Sequence, residues 1–365
     1  MSPLALIFLI IGIPALIGLA YIFVRGSAGL RRYILTRIGL LIPMVFILAS
    51  LVFFVMRVLP GDPVRSSLGP KGSAETVARM REQLGLDDPL IVQYGRFLGD
   101  IVTLDFGNSL TGGRRPIIDE MSERFPATLE LVIPAAGLAL LIGIVGGTLA
   151  AARRKRPFDY ALRLYSVVIY SIPVFWLGLI FQLVFGVRLG WTPIAGRIDP
   201  VIATTLERTT NILWLDAIIT GNWAALWSSL SHLVLPVVTL GLILSGVFLR
   251  LARVNVIETL QMEYIGAARA RGIRERIVVG SHALKNAIIP VITLLGLQVA
   301  ILLAGAVLTE TVFSWPGMGQ YLVQRISSRD YTAVQSVITM FAMLVALISL
   351  AVDIVYSLVD PRVRY

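Results

Sequence analysis

The chain has 365 residues and a formal net charge of +10; 56% of its residues are hydrophobic and only 15% are charged. Its mean hydropathy of +0.82 lies well outside the range of soluble globular domains. Cysteine is absent, which excludes disulfides and thiolate metal sites, and the two histidines, His232 and His282, cannot build a histidine metal centre alone.

Seven apolar stretches are long enough to cross a bilayer, whose hydrocarbon core of about 30 Å needs roughly 20 residues of α-helix. They lie at 4–24, 33–56, 127–152, 163–186, 233–252, 286–309 and 335–357. The sequence therefore predicts an all-α polytopic membrane protein.

The basic residues are spread unevenly over the connecting segments. They concentrate in 25–37, 153–163, 250–285 and at the C-terminus, whereas 57–126 has nearly balanced charge. The positive-inside rule then predicts an outside N-terminus and a cytoplasmic C-terminus. Because topology accounts for the basic excess, we expect no nucleic-acid partner.

The first stretch, 4–24, has no basic residue before it, so it resembles a retained helix more than a cleaved signal peptide. The segment 57–126 is expected to be extracytoplasmic, with one amphipathic helix around Ala74–Leu84. A second extracytoplasmic stretch, 187–232, is rich in tryptophan, and an interfacial helix is expected near 212–230.

Acidic residues in or near the apolar stretches are candidates for function. Glu130 lies near the outer end of its helix, where a solvated position is expected, and Asp353 is expected to pair with Arg37 or another helix. The interior therefore looks poor in acids, which counts against ion-coupled transport.

The most informative polar segment lies between two apolar stretches, and we call residues 263–274 the Ala-Arg segment. Its alanines favour helix and close approach, its arginines can bond acceptors on a partner, and Gly272 can supply a positive φ for a turn. These features predict a docking surface outside the membrane; the alternative is a basic loop that only follows the topology rule. The predicted docking residues are Glu263, Tyr264, Gly266, Ala267, Ala268, Arg269, Ala270, Arg271, Gly272 and Arg274.

The run from Gly266 to Gly272 resembles the coupling loop of ATP-binding-cassette importer permeases, although Gly266 stands where the general motif has Glu. The Tyr264–Gly272 form is similar to the dipeptide, oligopeptide and nickel branch. Further matches, in order, are the runs 59–63, 282–287, 310–317 and 360–364. Together they resemble the first of the two permeases of such systems.

This resemblance implies a six-helix type I importer core in 30–365, with its coupling loop at 253–285, plus one extra transmembrane helix in 1–29. It implies a bacterial cytoplasmic membrane, a second homologous permease, two ATPase subunits and an extracytoplasmic binding protein. The chain itself would be non-catalytic and bind no cofactor, with ATP and magnesium on the ATPases. Trp315, Pro316 and Gly317 could form an outer gate or, equally, a membrane-interface anchor.

The chain has no P-loop, because the candidate Gly69–Ser73 lacks the required spacing. Peptides are the expected cargo, although glutathione-like molecules and nickel chelates share this scaffold. The alternatives are an ion-coupled carrier or channel working without ATP, and a membrane-integral hydrolase. The second lacks a convincing nucleophile–base pair.

Overall fold

The computed structural model describes residues 27–58, 64–65, 73–111 and 115–359, together with Leu19. The extra helix expected in 1–29 lies almost wholly outside the described residues, as do the runs 59–63 and 360–364. Within the described part the regular structure is helical, apart from one isolated β-bridge between Asn108 and Pro116.

Fifteen helices follow one another in the described residues. They are α1 Ala28–Val58, α2 Ala74–Gln83, α3 Leu90–Thr103, α4 Ile117–Ala152, α5 Pro157–Ser171, α6 Val174–Phe181, α7 Pro200–Ala203, α8 Leu213–Ile219, α9 Trp223–Leu260, α10 Glu263–Ala270, α11 Glu275–Ile277, α12 Leu284–Gly305, α13 Val307–Val312, α14 Met318–Ser327 and α15 Tyr331–Val359. Two π-helical stretches, Gln182–Arg188 and Val278–Ala283, continue α6 and join α11 to α12.

Five helical segments among the described residues are long and apolar enough to cross a membrane, or six if one bent pair counts as a span. The five are Ala28–Val58, Ile117–Ala152, Trp223–Leu260, Glu275–Val299 and Tyr331–Ile354. With the bent pair, this agrees with the six-helix core that the sequence predicted.

The bent pair shows that the span predicted at 163–186 is not one continuous helix. The segments Pro157–Ser171 and Val174–Arg188 meet at an angle of 100°. Pro173 has no N–H to donate and disfavours helical backbone in the residue before it. Ile172 accordingly adopts φ −79° and ψ 128°, and the helix ends there.

The helices α4 and α9 form the central pair of the bundle, and glycines let them approach closely. A Cβ placed on Gly147 would lie 2.7 Å from the Leu249 carbonyl oxygen, and one on Gly143 would overlap Phe248. The two glycines are four residues apart, which places both on one face of α4. This is the small-residue spacing that brings membrane helices together.

The predicted interfacial helix near 212–230 is wrong in its extent. The helix α8 ends at Ile219, Gly221 takes a positive φ of 66°, and Trp223 already begins α9. Asn222 caps α9 by accepting a hydrogen bond from the Ala225 N–H at 3.0 Å. A capped turn therefore divides the predicted helix in two.

The segment 57–126, between α1 and the apolar part of α4, contains one helix that was predicted and one that was not. The helix α2 agrees with the prediction around Ala74–Leu84, and Ser73 caps it by accepting from the Thr76 N–H at 3.2 Å. The unexpected α3 packs on α1 through rings, with the centroids of Phe53 and Phe97 5.4 Å apart.

The expectation of few buried acids is wrong. Among the described residues, Glu120, Glu130, Asp159, Asp216, Glu310 and Asp330 are all buried. Arginines from distant parts of the chain neutralise several of them. Arg253, for example, joins α9 to Asp159 at the start of α5, with Nε 2.6 Å from Oδ1.

Glu130 is the clearest correction, because it was expected to be solvated and is only 3% exposed. Arg197, from the connection between α6 and α7, donates to it from Nε at 2.9 Å. By contrast, the predicted pairing of Asp353 with Arg37 is confirmed, with Nε and Oδ2 3.3 Å apart.

Candidate functional site

The Ala-Arg segment begins directly after the long helix α9. The helix α10 holds one face against the protein, where Ile265 and Ala268 pack with Val278 and Ala283 of the π-helical stretch. Ile265 is fully buried. This packing fixes α10 to the start of α12 and gives the segment a defined position.

The opposite face of α10 is exposed and made of small residues and arginines. It carries Gly266, Ala267, Arg269, Ala270 and Arg271. A Cβ on Gly266 would meet no atom within 4 Å, so no described residue covers this position. The structure thus presents a flat, basic face that another protein could approach closely.

The predicted turn at Gly272 is confirmed, since its φ is +75°. Its N–H donates to the Arg269 carbonyl at 2.9 Å, and the next N–H, of Ile273, reaches the Ala268 carbonyl at 3.3 Å. These bonds satisfy carbonyls at the end of α10, and only glycine adopts this backbone without strain. The glycine therefore turns the chain from α10 into α11.

Two of the predicted docking residues already have partners within the chain. Arg269 donates to Glu275 at 2.7 Å across the Gly272 turn. The hydroxyl of Tyr264 accepts from Asn286 at 2.7 Å and donates to the His282 carbonyl at 3.3 Å. They brace the segment, a role that the sequence did not indicate because each partner lies on another element.

Among the remaining predicted residues, Ala268 is buried, so it belongs to the packing face. Glu263 lies exposed in the first turn of α10, where an acid favours the helix N-terminus. Arg274 precedes α11 and is exposed. The surface open to a partner therefore consists of Gly266, Ala267, Ala270, Arg271, Gly272 and Arg274.

The Trp315 loop, residues 313–318, contacts the first half of α4, whereas the Ala-Arg segment lies near the end of that helix. Trp315 is fully buried, and its indole Nε1 donates to the Ala127 carbonyl at 2.7 Å. The guanidinium of Arg197 lies 5.6 Å from its ring centroid. The interpretation of Trp315 as a membrane-interface anchor is therefore wrong, because the ring packs inside the protein.

Glu310, the first residue of the run 310–317, holds this loop in place through hydrogen bonds, a role that the sequence did not indicate. Its carboxylate accepts from the Thr128 hydroxyl at 2.7 Å and from the Gln320 N–H at 2.8 Å. Gly317 leaves room for this carboxylate, which a Cβ there would overlap. Burial raises the pKa of Glu310 to about 7, against weaker opposing effects from its hydrogen bonds and from Arg124.

The described residues contain no group of three or more His, Asp or Glu side chains that could hold a metal ion. The Nδ1 of His232 lies 2.7 Å from the Ser228 carbonyl oxygen, one turn earlier in α9. His282 is half-buried beside α10.

Two family descriptions match this chain over most of its length. Residues 143–365 match the binding-protein-dependent transport system inner membrane component, and residues 30–132 match the N-terminal part of that membrane component.

Curated proteins are similar to this chain over nearly their whole length. The dipeptide transport system permease DppB of Alkalihalophilus pseudofirmus is 40% identical over 336 residues, which cover 91% of this chain and 99% of that protein. The di/tripeptide permease DppB of Pseudomonas aeruginosa is 42% identical, over 91% of this chain and 98% of its own. The glutathione permease GsiC of Escherichia coli K12 is 37% identical, over 92% and 99%.

Permeases of this family are non-catalytic, cofactor-free membrane components that act with ATPase and binding-protein partners in ATP-binding-cassette importers. Membership sets aside the carrier, channel and hydrolase alternatives. The chain is a multi-pass membrane protein that belongs to the binding-protein-dependent transport permease family.

Proposed function

We propose that this permease imports short peptides. The relatives reported above carry dipeptides, di- and tripeptides, or glutathione, which is itself a small peptide, by their names. In this proposal the chain pairs with a second homologous permease, two ATPase subunits bind the pair, and an extracytoplasmic binding protein delivers the cargo.

The Ala-Arg segment is the proposed ATPase docking surface, and its end of the bundle would then be cytoplasmic. The observation that carries this proposal is the exposed small-residue face of α10 on a helix whose other face is fixed by packing. A face of glycine and alanine lets a partner's backbone approach closely, and the exposed Arg271 and Arg274 can bond acidic or carbonyl acceptors there.

The packing supports a mechanical role for α10. It follows α9 after a two-residue turn, and it packs on the π-helical stretch that leads into α12. Both long helices cross the bundle, so a displacement of α10 by an ATPase would shift them together. Interfaces of this kind convert a local movement into a rearrangement between two states.

The experiment that tests docking is co-purification of the ATPase with bulky variants of the exposed face. We expect Ala267→Trp and Ala270→Trp to lose the ATPase, because each adds a large ring where a partner must approach. Arg271→Glu should weaken the complex through charge reversal. The matched control is Ala78→Trp on α2, which is also an exposed helical alanine.

The variants Gly272→Pro and the double change Arg269→Glu with Arg271→Glu complete the series. Gly272→Pro should abolish docking, since proline cannot take a φ of +75° and removes the N–H bonded to Arg269. Retention of the ATPase by both tryptophan variants would refute the docking role.

Cargo is tested by uptake into cells that depend on this importer. We expect labelled dipeptides and tripeptides to accumulate in an ATP-dependent way and to compete with one another. Uptake of a nickel chelate without uptake of any peptide would refute the proposed cargo.

A further inference from the structure

A cavity of about 590 Å³ lies between the N-terminal region and the start of α15. Its walls are formed by the end of α1, the end of α2 with the loop that follows it, one face of α3, residues 105–110 and the first turns of α15. The Gly107 carbonyl accepts from the Ile117 N–H at 3.0 Å, which places the cavity at the start of α4. The Ala-Arg segment is at the other end, where Ala151 packs with Val279.

One side of the cavity carries Arg57, a cation with no acidic partner among the described residues. The Nε of Arg57 donates to the side-chain oxygen of Gln93 at 3.0 Å, and its guanidinium lies 4.9 Å from the Phe53 ring centroid. No carboxylate in the described part of the chain forms a salt bridge with it. The guanidinium therefore retains donors and a full positive charge for a ligand.

The other side carries Asp100 and Asp105, neither of which forms an ion pair with a described residue; Arg96, which also lines the cavity, is paired with Asp88 at 2.8 Å. Asp100 has no side-chain hydrogen bond or ion pair among the described residues, and Asp105 accepts only from the Gly107 N–H at 3.0 Å. Burial, and to a smaller extent the nearby Asp105, raise the pKa of Asp100, and the positive charge of Arg96 opposes them without cancelling them.

The distance between the two sides follows from the geometry of α3. Gln93, which holds Arg57, and Asp100 are seven residues apart on the cavity face, so they are separated by about 10 Å along the helix. The hydroxyl of Tyr331 and the amide of Gln335 lie on the opposite wall, with no side-chain hydrogen bond among the described residues. Phe97 adds an apolar surface between the charged ends.

We infer that this cavity binds a short peptide of two or three residues in its zwitterionic form. Its terminal carboxylate would pair with Arg57 and its terminal ammonium with Asp100 and Asp105. Three extended residues span about 10 Å, which matches the separation of the charges. A simple anion or cation would leave one side of the cavity uncompensated, whereas a zwitterion neutralises both. Tyr331 and Gln335 then bond the peptide groups.

The site lies within this chain, and so differs from a path formed between two permeases. The inference rests on the proposed peptide import for the source of the ligand, while the geometry of the cavity stands without it.

The test is equilibrium binding of radiolabelled trialanine to the intact importer, purified without its binding protein and without ATP. We expect Asp100→Asn and Arg57→Gln each to weaken binding about tenfold or more, since each removes one charge-assisted contact. The matched controls are Asp87→Asn and Arg79→Gln, which make the same changes at nearby residues outside the cavity. They should bind as the wild type does.

Blocked peptides assign each end of the ligand. N-acetyl-trialanine, which lacks the ammonium, should bind the wild type weakly and should bind Asp100→Asn no more weakly. Trialanine amide, which lacks the carboxylate, should likewise bind the wild type weakly and should bind Arg57→Gln no more weakly. Unchanged trialanine binding in both charge variants, or equal binding of blocked and free peptides, would overturn the inference.

Two further measurements separate this inference from the proposed function. Gln335→Leu keeps both charges and should weaken binding by a smaller factor, which guards against misfolding of a charge variant. Uptake into cells reports on import itself. If peptide uptake is normal and binding is unchanged in every variant, only the proposal that the cavity binds peptides is refuted. If the wild type takes up no peptide at all, the proposed cargo is refuted.

Discussion

The carboxylate of Glu310 accepts a hydrogen bond from the hydroxyl of Thr128 at 2.7 Å, although 182 residues separate them in the sequence. The same hydroxyl accepts from the Met318 N–H at 2.8 Å. One threonine on α4 therefore ties together the end of α13 and the start of α14. The Trp315 loop between them is held in place by this contact and by the Trp315 indole.

Replacing Thr128 with valine should destabilise the protein by about 1–3 kcal/mol, because the buried Glu310 carboxylate loses one of its hydrogen-bond donors and the buried Met318 N–H loses its acceptor. The change nearly conserves volume, so the effect reports on hydrogen bonding. The measurement is thermal unfolding in detergent. Thr128→Ser, which keeps the hydroxyl, should unfold close to the wild type, and equal unfolding temperatures for valine and wild type would contradict the prediction.

The raised pKa of Glu310 makes stability depend on pH. Its ordinary value is 4.5 and its folded value about 7, so between these values the folded state binds more protons than the unfolded state. Stability from this group is therefore full below pH 4.5, falls as the pH rises to about 7, and stays low above it.

Glu310→Gln removes this titration and keeps a side chain of the same shape. We expect the unfolding temperature of the wild type to fall between pH 5 and pH 8, and that of the variant to fall less. The difference between the two corresponds to roughly 3 kcal/mol of unfolding free energy at most. Arg124 is the charged group that acts on Glu310, so Arg124→Gln serves as a second comparison. Identical pH profiles for wild type and Glu310→Gln would contradict the assignment.

The close approach of α4 and α9 predicts intolerance of a methyl group on one face of α4. Gly143→Ala should destabilise the protein by about 1–3 kcal/mol, because its Cβ overlaps Phe248 and the helices must separate. Gly137→Ala is the matched control on the same helix, since its Cβ would meet no atom within 4 Å. Alanine there should be neutral or slightly stabilising. Thermal unfolding of both variants decides the question.

We further propose that Trp315, Pro316 and Gly317 form an outer gate that must move during transport. The chain has no native cysteine, so Thr128→Cys with Met318→Cys can cross-link the loop to α4 without competing thiols. If the gate moves, oxidation should stop peptide uptake and a reductant should restore it. Uptake that persists in the oxidised double variant, with the disulfide confirmed by mass, would show that the loop is a fixed strut.

The Ala-Arg segment shows which structural features can be predicted from neighbouring residues alone. The alanine run and Gly272 predicted a short helix and a turn, and both are present, because helix propensity and a positive φ are properties of neighbouring residues. The exposed face could not be predicted in the same way. It depends on Ile265 and Ala268 packing against Val278 and Ala283, which lie beyond the turn.

The buried acidic residues show what neighbouring residues cannot predict. Glu130 has the same local sequence whether it is solvated or buried, and only Arg197, brought in by the connection after α6, makes the buried position tolerable. Asp353 was paired correctly because Arg37, near the start of α1, and Asp353, near the end of α15, lie at the same end of an antiparallel helix pair.

By itself the sequence determined that the protein is a polytopic helical membrane protein, since about 20 apolar residues in a bilayer have to form a helix that satisfies its own backbone. The six-helix core followed from the resemblance of its motifs to a known family, because the apolar stretches alone numbered seven. The tertiary structure alone decided the 100° bend after α5, the buried ion pairs, the bracing roles of Tyr264 and Arg269, and the charged cavity beside α3. Each of these depends on which distant side chains meet, and that follows from the packing of whole helices.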